Sequence, residues 1–131
     1  MDAVRTHSGS YQAYQILYLG FTALPIIAGL DKFVQLLTAW ERYLAPAVAS
    51  LLPVAPRTFM LGVGIVEVLA GLIVAVKPVI GAWIVGLWLV GIVVNLLIGG
   101  TYLDIALRDF GLALGAFALA RLAADEERRI A

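Results

Sequence analysis

The stretch "TFMLGVGIVEVLAGLIVAV", residues 58–76, carries a single charged residue, Glu67, in an otherwise uncharged and largely apolar run. A helix needs about 20 predominantly apolar residues to cross a hydrocarbon core of about 30 Å, so this stretch predicts a transmembrane helix. Three more apolar segments predict further spans: 14–37, 79–100 and 102–123. The sequence therefore predicts an all-α fold, a four-helix transmembrane bundle, in which residues 1–131 form a single integral membrane domain.

Composition favours a membrane protein and excludes several kinds of chemistry. Of the 131 residues, 63% are hydrophobic and 14% are charged, whereas soluble domains have about half apolar and about a quarter charged residues. Nine basic and nine acidic residues cancel, which gives no electrostatic basis for binding nucleic acid. With no cysteine and one histidine, His7, the chain cannot form disulfides, ligate an iron–sulfur cluster or hold a bis-histidine haem by itself. No metal-ligand spacing is present, so we expect no metal site.

The connection between the first two spans, "DKFVQLLTAWERYLAP" at residues 31–46, is amphipathic at helical spacing. Its apolar side chains fall on one face, and its tryptophan and tyrosine favour the headgroup level. This pattern predicts an interfacial helix that lies along the membrane surface. The alternative is that the first span simply protrudes from the bilayer by several turns.

The distribution of basic residues predicts the orientation. Four spans place both termini on one side of the membrane, and basic residues concentrate on the cytoplasmic side. The terminal side carries five of them and the opposite side three: Arg5, Lys77, Arg121, Arg128 and Arg129 against Lys32, Arg42 and Arg57. We therefore expect an integral protein of the bacterial inner (cell) membrane with both termini in the cytoplasm.

The position of Glu67 predicts which way its side chain points. It lies ten residues from both Arg57 and Lys77, which at about 1.5 Å per residue is about 15 Å from either end of the span. A charge at the bilayer midplane costs at least about 2.5–3.5 kcal/mol and nearly always faces a bundle interior or a wet cavity. Gly64 and Gly71 share its helical face, and small residues mark close helix packing. Glu67 is therefore predicted to point inward.

The fourth segment offers a partner for this carboxylate. Asp104 and Arg108 stand four residues apart, which suits an ion pair within one helix, and Asp109 follows directly. The fourth span enters from the same side as the second, so Arg108 reaches a similar depth to Glu67. This shared depth predicts a Glu67–Arg108 pair.

A polar cluster is predicted in the non-cytoplasmic half of the membrane. Its members are Glu67, Arg108, Asp104, Asp109, Asn95, Asp31 and Lys32. Three interpretations remain open. The first two are a network that only fixes helix register, and a pocket, open to the non-cytoplasmic side, that binds a small ligand or a quinone headgroup. Proton or ion passage is a third, although the four spans show no inverted repeat and the charges crowd into one half of the membrane. No residue is assigned a catalytic role.

Two motifs resemble those of the DoxX-like family of small four-span membrane proteins. They are "GLDKF" at residues 29–33 and "GIVEVLAGLIVAVKP" at residues 64–78. That family has a glycine and a basic residue at the end of its first span and a G-x-x-E-x-x-x-G pattern in its second. The matching positions are Gly29, Lys32, Gly64, Glu67 and Gly71. The similarity covers most of residues 14–122, and it departs from the simplest pattern at "WERYLAP" and "DIALRDFG".

The resemblance implies association with membrane redox systems, since some relatives are subunits of a thiosulfate:quinone oxidoreductase. We expect an accessory or structural subunit that packs in the lipid bilayer against a larger membrane redox complex, or a homo-oligomer. No cofactor is expected other than a bound quinone, because the chain has no means of passing electrons alone. The alternatives are a quinone- or small-ligand-binding oxidoreductase subunit that uses Glu67 and Arg108, and a small proton-coupled transporter.

Overall fold

The computed structural model describes residues 8–130, and within that range the chain is helical with no strand, which confirms the all-α prediction. Residues 8–130 form five α-helices and one 3₁₀ turn. In chain order they are α1 (Gly9–Val34), the 3₁₀ turn (Trp40–Tyr43), α2 (Pro46–Ala49), α3 (Pro56–Val76), α4 (Pro78–Gly99) and α5 (Leu103–Ile130). The single histidine, His7, lies outside the described residues.

Local sequence explains where the long helices begin and end. Ser8 caps α1 by accepting a hydrogen bond from the backbone N–H of Tyr11 at 3.2 Å. Prolines 56 and 78 occupy the first turns of α3 and α4, where a missing N–H costs no helical hydrogen bond. Gly100 ends α4 with φ of 74°, a left-handed conformation that glycine adopts without strain.

The four long helices pack into one bundle. Helix α1 lies mainly against α3, and α4 lies mainly against α5, while contacts of α3 with α4 and of α1 with α5 close the ring. The apolar core lies towards the α3–α4 turn and consists of Phe21, Ala70, Val74, Ala82, Val85, Ala116, Leu119 and Ala120. Half of these residues are alanines, which allow the helix backbones to approach closely.

Three of the helices are long and apolar enough to cross a membrane: α1, α3 and α4. Large apolar side chains such as Leu19, Leu69 and Leu87 are exposed on their outer faces, and contiguous exposed apolar surface of this kind is typical of protein in contact with lipid. These features indicate an integral membrane protein. Helix α5 is not among the three, because charged residues occupy both of its ends.

The predicted interfacial helix over residues 31–46 is wrong. Helix α1 runs on to Val34, Gln35 turns the chain with φ of 54°, and only the short 3₁₀ turn follows. The cause is Asp31, whose carboxylate accepts the backbone N–H groups of Leu36 at 3.0 Å and Leu37 at 3.1 Å. It also accepts the indole N–H of Trp40 at 2.8 Å. These charge-assisted bonds fold the segment back over the end of α1 instead of letting it continue as a helix.

Candidate functional site

Helices α1 and α3 touch backbone to backbone at two glycines. A Cβ placed on Gly29 would lie 2.5 Å from the carbonyl oxygen of Gly64, and one placed on Gly64 would lie 2.7 Å from the carbonyl oxygen of Gly29. Only glycine fits at both positions without moving a helix. The crossing point is thus where residues 29–33 meet residues 64–78.

The crossing brings Lys32 of α1 against Glu67 of α3, and the two side chains form an ion pair. Lys32 is 4% exposed and Glu67 is 9% exposed, so Glu67 points inward as its flanking glycines predict. The Lys32 Nζ also lies 3.8 Å from the centroid of the Trp40 ring, in cation–π geometry. The buried cation therefore has a carboxylate on one side and an aromatic face on another.

The predicted Glu67–Arg108 pair is wrong, because Glu67 pairs with Lys32 instead. The Arg108 side chain is 64% exposed, and its Nε donates to the Asp109 carboxylate at 3.1 Å. The predicted pair of Asp104 with Arg108 is also wrong, because in the described part of the chain Arg108 pairs with Asp109 and Asp104 is an exposed residue. The physical reason is the orientation of α5, which turns Asp109 into the bundle and Arg108 towards its outer surface.

Two of the predicted site residues hold the segment that follows α1. Asp31 does so through the bonds described above. Asn95 of α4 accepts the backbone N–H of Ala45 at 2.9 Å and donates its side-chain amide to the carbonyl oxygen of Tyr43 at 2.7 Å. Together these hydrogen bonds hold residues 35–45 across one end of the bundle.

Arg57 stabilises the same region and was not predicted as a site residue. Its guanidinium donates to the carbonyl oxygens of Lys32 and Phe33, the latter at 3.2 Å. These carbonyls belong to the last turn of α1, where no helical N–H is available to them. Because Arg57 lies in the first turn of α3, it fixes the height of that helix against the end of α1. The only feature of the sequence that could have pointed to Arg57 is its position directly before the second predicted span.

A cavity of about 430 Å³ lies inside the bundle beneath residues 35–45. Five of the seven predicted polar residues line it: Lys32, Glu67, Asn95, Arg108 and Asp109. Asp31 and Asp104 do not. Most of the remaining wall is apolar, which is the usual character of small-molecule sites of about 300–1,000 Å³.

Trp88 of α4 is a wall residue that the sequence did not single out. Its indole nitrogen is buried and, among residues 8–130, has no hydrogen-bond partner. Buried donors without a partner are rare, and each one calls for an explanation such as a bound molecule. A tryptophan in an uncharged span is ordinarily a lipid-facing or interfacial residue, so the sequence carries no signal for this role.

The charges that line the cavity cancel. Lys32 is paired with Glu67, and Arg108 is paired with Asp109. No group of three or more His, Cys, Asp or Glu side chains that could hold a metal ion occurs in the described range. The cavity thus offers hydrogen-bonding groups in an apolar wall without a net charge, an arrangement that suits an uncharged guest.

Comparison with known proteins assigns no family to this chain. No family model, no curated protein and no solved structure matches it.

Proposed function

We propose that this protein crosses the membrane four times and binds a small uncharged molecule in the cavity between its helices. The observation that carries the proposal is the cavity of about 430 Å³ with two internally neutralised ion pairs in a mainly apolar wall. A network that only fixed helix register would pack closely around its own groups. The polar groups here instead face an empty space between the helices.

The shape of α5 supports a fourth span. It packs against α4 and α1, turns the buried Asp109 inward, and exposes Leu107, Phe110 and Leu114 outward. Arg108 and Arg121 stand thirteen residues apart, which corresponds to about 20 Å of helix, and arginines near span ends extend their side chains towards the interface. On this proposal both termini lie on the cytoplasmic side of a bacterial inner membrane.

A quinone headgroup is the ligand class that best fits both the cavity and the resemblance. Its ring is uncharged and apolar, and its carbonyl oxygens accept hydrogen bonds of the kind that Lys32 and Arg108 on the cavity wall offer. Bound there, it would supply redox chemistry that the side chains of this protein lack. The residues that would hold it are Trp88, Lys32 and Glu67, with Arg108 and Asp109 on the adjoining wall.

The proposal is tested by fluorescence titration of the purified protein with a decyl-substituted benzoquinone. Trp40 and Trp88 line the cavity and Trp83 does not, so saturable quenching is expected. Trp88→Phe and Trp40→Phe should each reduce the saturable amplitude, whereas Trp83→Phe, the matched control, should leave the midpoint unchanged. Quenching that rises linearly, without saturation, in every variant would refute binding in the cavity.

A second candidate function is that of an accessory subunit in a larger membrane redox assembly, or of a homo-oligomer. What favours it is that Gly29, Lys32, Gly64 and Glu67, the motif residues that suggested the DoxX-like family, come together at one helix crossing. Purification in mild detergent followed by identification of co-purifying proteins tests this. A chain that always migrates alone as a monomer would contradict it.

A further inference from the structure

The exposed wall residues that the long helices supply lie on one side of the bundle, and Leu37, in the segment that covers the end of the cavity, is exposed as well. The wall residues supplied by α3 and α4 are buried or half-buried. The exposed wall residues lie on the other two long helices, α1 and α5. Leu24 of α1 is 54% exposed, Leu112 of α5 is 36% exposed, and the Arg108 side chain of α5 is mostly exposed. The opening therefore lies between α1 and α5.

The limits of the opening place it at mid-depth in the bundle. Towards the α3–α4 turn it is closed by Phe21, whose ring would lie 3.3 Å from a Cβ placed on Gly115. Leu24 lies ten residues before the end of α1 and Leu112 lies nine residues after the start of α5. Each is thus about 14–15 Å from the end of its helix, which is about half the thickness of a hydrocarbon core.

The surface around the opening is apolar. On α1 the exposed side chain three residues from Leu24 is Ile27, and on α5 the residues one turn from Leu112 on the same flank are Arg108 and Gly115. Arg108, the one charged residue at the rim, is bonded to Asp109. At this depth and with these neighbours, the opening faces acyl chains and not water.

The proposal that follows rests on the proposed ligand-binding function. We propose that the ligand is an amphiphile dissolved in the membrane, with its head in the cavity and its apolar chain passing between Leu24 and Leu112 into the lipid. At about 430 Å³ the cavity is near the lower end of small-molecule sites, which span about 300–1,000 Å³. It holds a head but not a long chain, and the lateral opening lets the chain stay in hydrocarbon.

The test compares two probes that share one head: a decyl-substituted benzoquinone and the same benzoquinone without the chain. Equilibrium binding of radiolabelled probe to immobilised protein is measured in detergent. Leu24→Trp and Leu112→Trp narrow the opening, and Leu69→Trp is the matched control, because Leu69 is exposed on α3 and does not line the cavity. Thermal unfolding verifies that each variant is folded, and Leu112→Phe replaces any variant that is not.

We expect both opening variants to weaken binding of the decyl probe about tenfold, the effect of displacing about two buried methylene groups. Binding of the chainless probe should stay within about twofold of the unmodified protein, since a twofold change is well under 1 kcal/mol. Opening variants that leave the decyl probe unaffected, or that weaken both probes equally, would overturn the lateral opening while leaving ligand binding intact. Failure of the unmodified protein to bind either probe would instead overturn the proposed function itself.

Discussion

Separating Lys32 from Glu67 is expected to destabilise this protein more than any other change of a single charged residue. Lys32→Met removes the cation but keeps the length of the side chain, which leaves the Glu67 carboxylate buried without its partner. Removing one member of a buried pair costs about 3–5 kcal/mol in soluble proteins. The lower end, about 3 kcal/mol, applies here because side-chain hydrogen bonds measured within membrane proteins contribute less than those in soluble proteins.

Glu67→Gln should cost less than Lys32→Met. The amide keeps the shape of the carboxylate and leaves Lys32 stacked on Trp40, a contact worth about 0.5–2 kcal/mol. The double variant, Lys32→Met with Glu67→Gln, contains no buried charge at this crossing. Its loss of unfolding free energy should therefore be smaller than the sum of the single losses, by about 0.5–3 kcal/mol.

The assay is unfolding of purified protein in mixed micelles by added SDS, followed by far-ultraviolet circular dichroism. The matched control is the Glu67→Gln and Arg108→Ala pair, because Arg108 is bonded to Asp109 and largely exposed. The losses of unfolding free energy from these two control changes should add within about 0.5 kcal/mol. Strict additivity of the Lys32 and Glu67 changes, or a larger coupling of Glu67 with Arg108, would refute the pairing.

Three further outcomes are expected. Gly29→Ala should destabilise the protein by about 1–3 kcal/mol in the same assay, because its Cβ would lie 2.5 Å from a backbone oxygen. The control Gly62→Ala, whose Cβ would have nothing within 4 Å, should be neutral or stabilising. Equal losses of unfolding free energy in the two variants would contradict the close crossing of α1 and α3. Asp31→Ala should cost about 1–3 kcal/mol and expose Trp40 to aqueous quenchers, since it removes the acceptor of three N–H groups; unchanged quenching would contradict the role of Asp31. Reporters fused to either terminus should read cytoplasmic and one inserted near Ser50 external; the reverse would overturn the orientation but not the four spans.

The positions of the apolar helices could be predicted from the sequence because each is a long run with few charges. The inward direction of Glu67 was predictable too, since Gly64 and Gly71 mark its face of α3 as the packed one. Both inferences depend on the periodicity of a single helix, which sequence displays directly.

The partner of Glu67 could not be predicted in this way. It depends on the height of α1 against α3, which is set by the contact of Gly29 with Gly64 and by the bonds from Arg57. Depth alone placed Arg108 within reach, but a rotation of α5 by one residue decides whether Arg108 or Asp109 faces inward. The segment after α1 was mispredicted for a similar reason. The Asp31 carboxylate accepts N–H groups of Leu36 and Trp40, so the chain turns there instead of continuing as a helix.

The most direct test of a ligand-binding cavity is mass spectrometry of the small molecules that remain bound to the protein after purification in mild detergent. Val63 lines the cavity from α3, whereas Val66 on the same helix is exposed and does not. Unmodified protein and Val66→Phe should retain the same amphiphile in near-equimolar amount, and Val63→Phe, whose added ring occupies the cavity, should lose most of it. Equal retention by all three proteins, or retention of bulk membrane lipid alone, would contradict a ligand site between the helices.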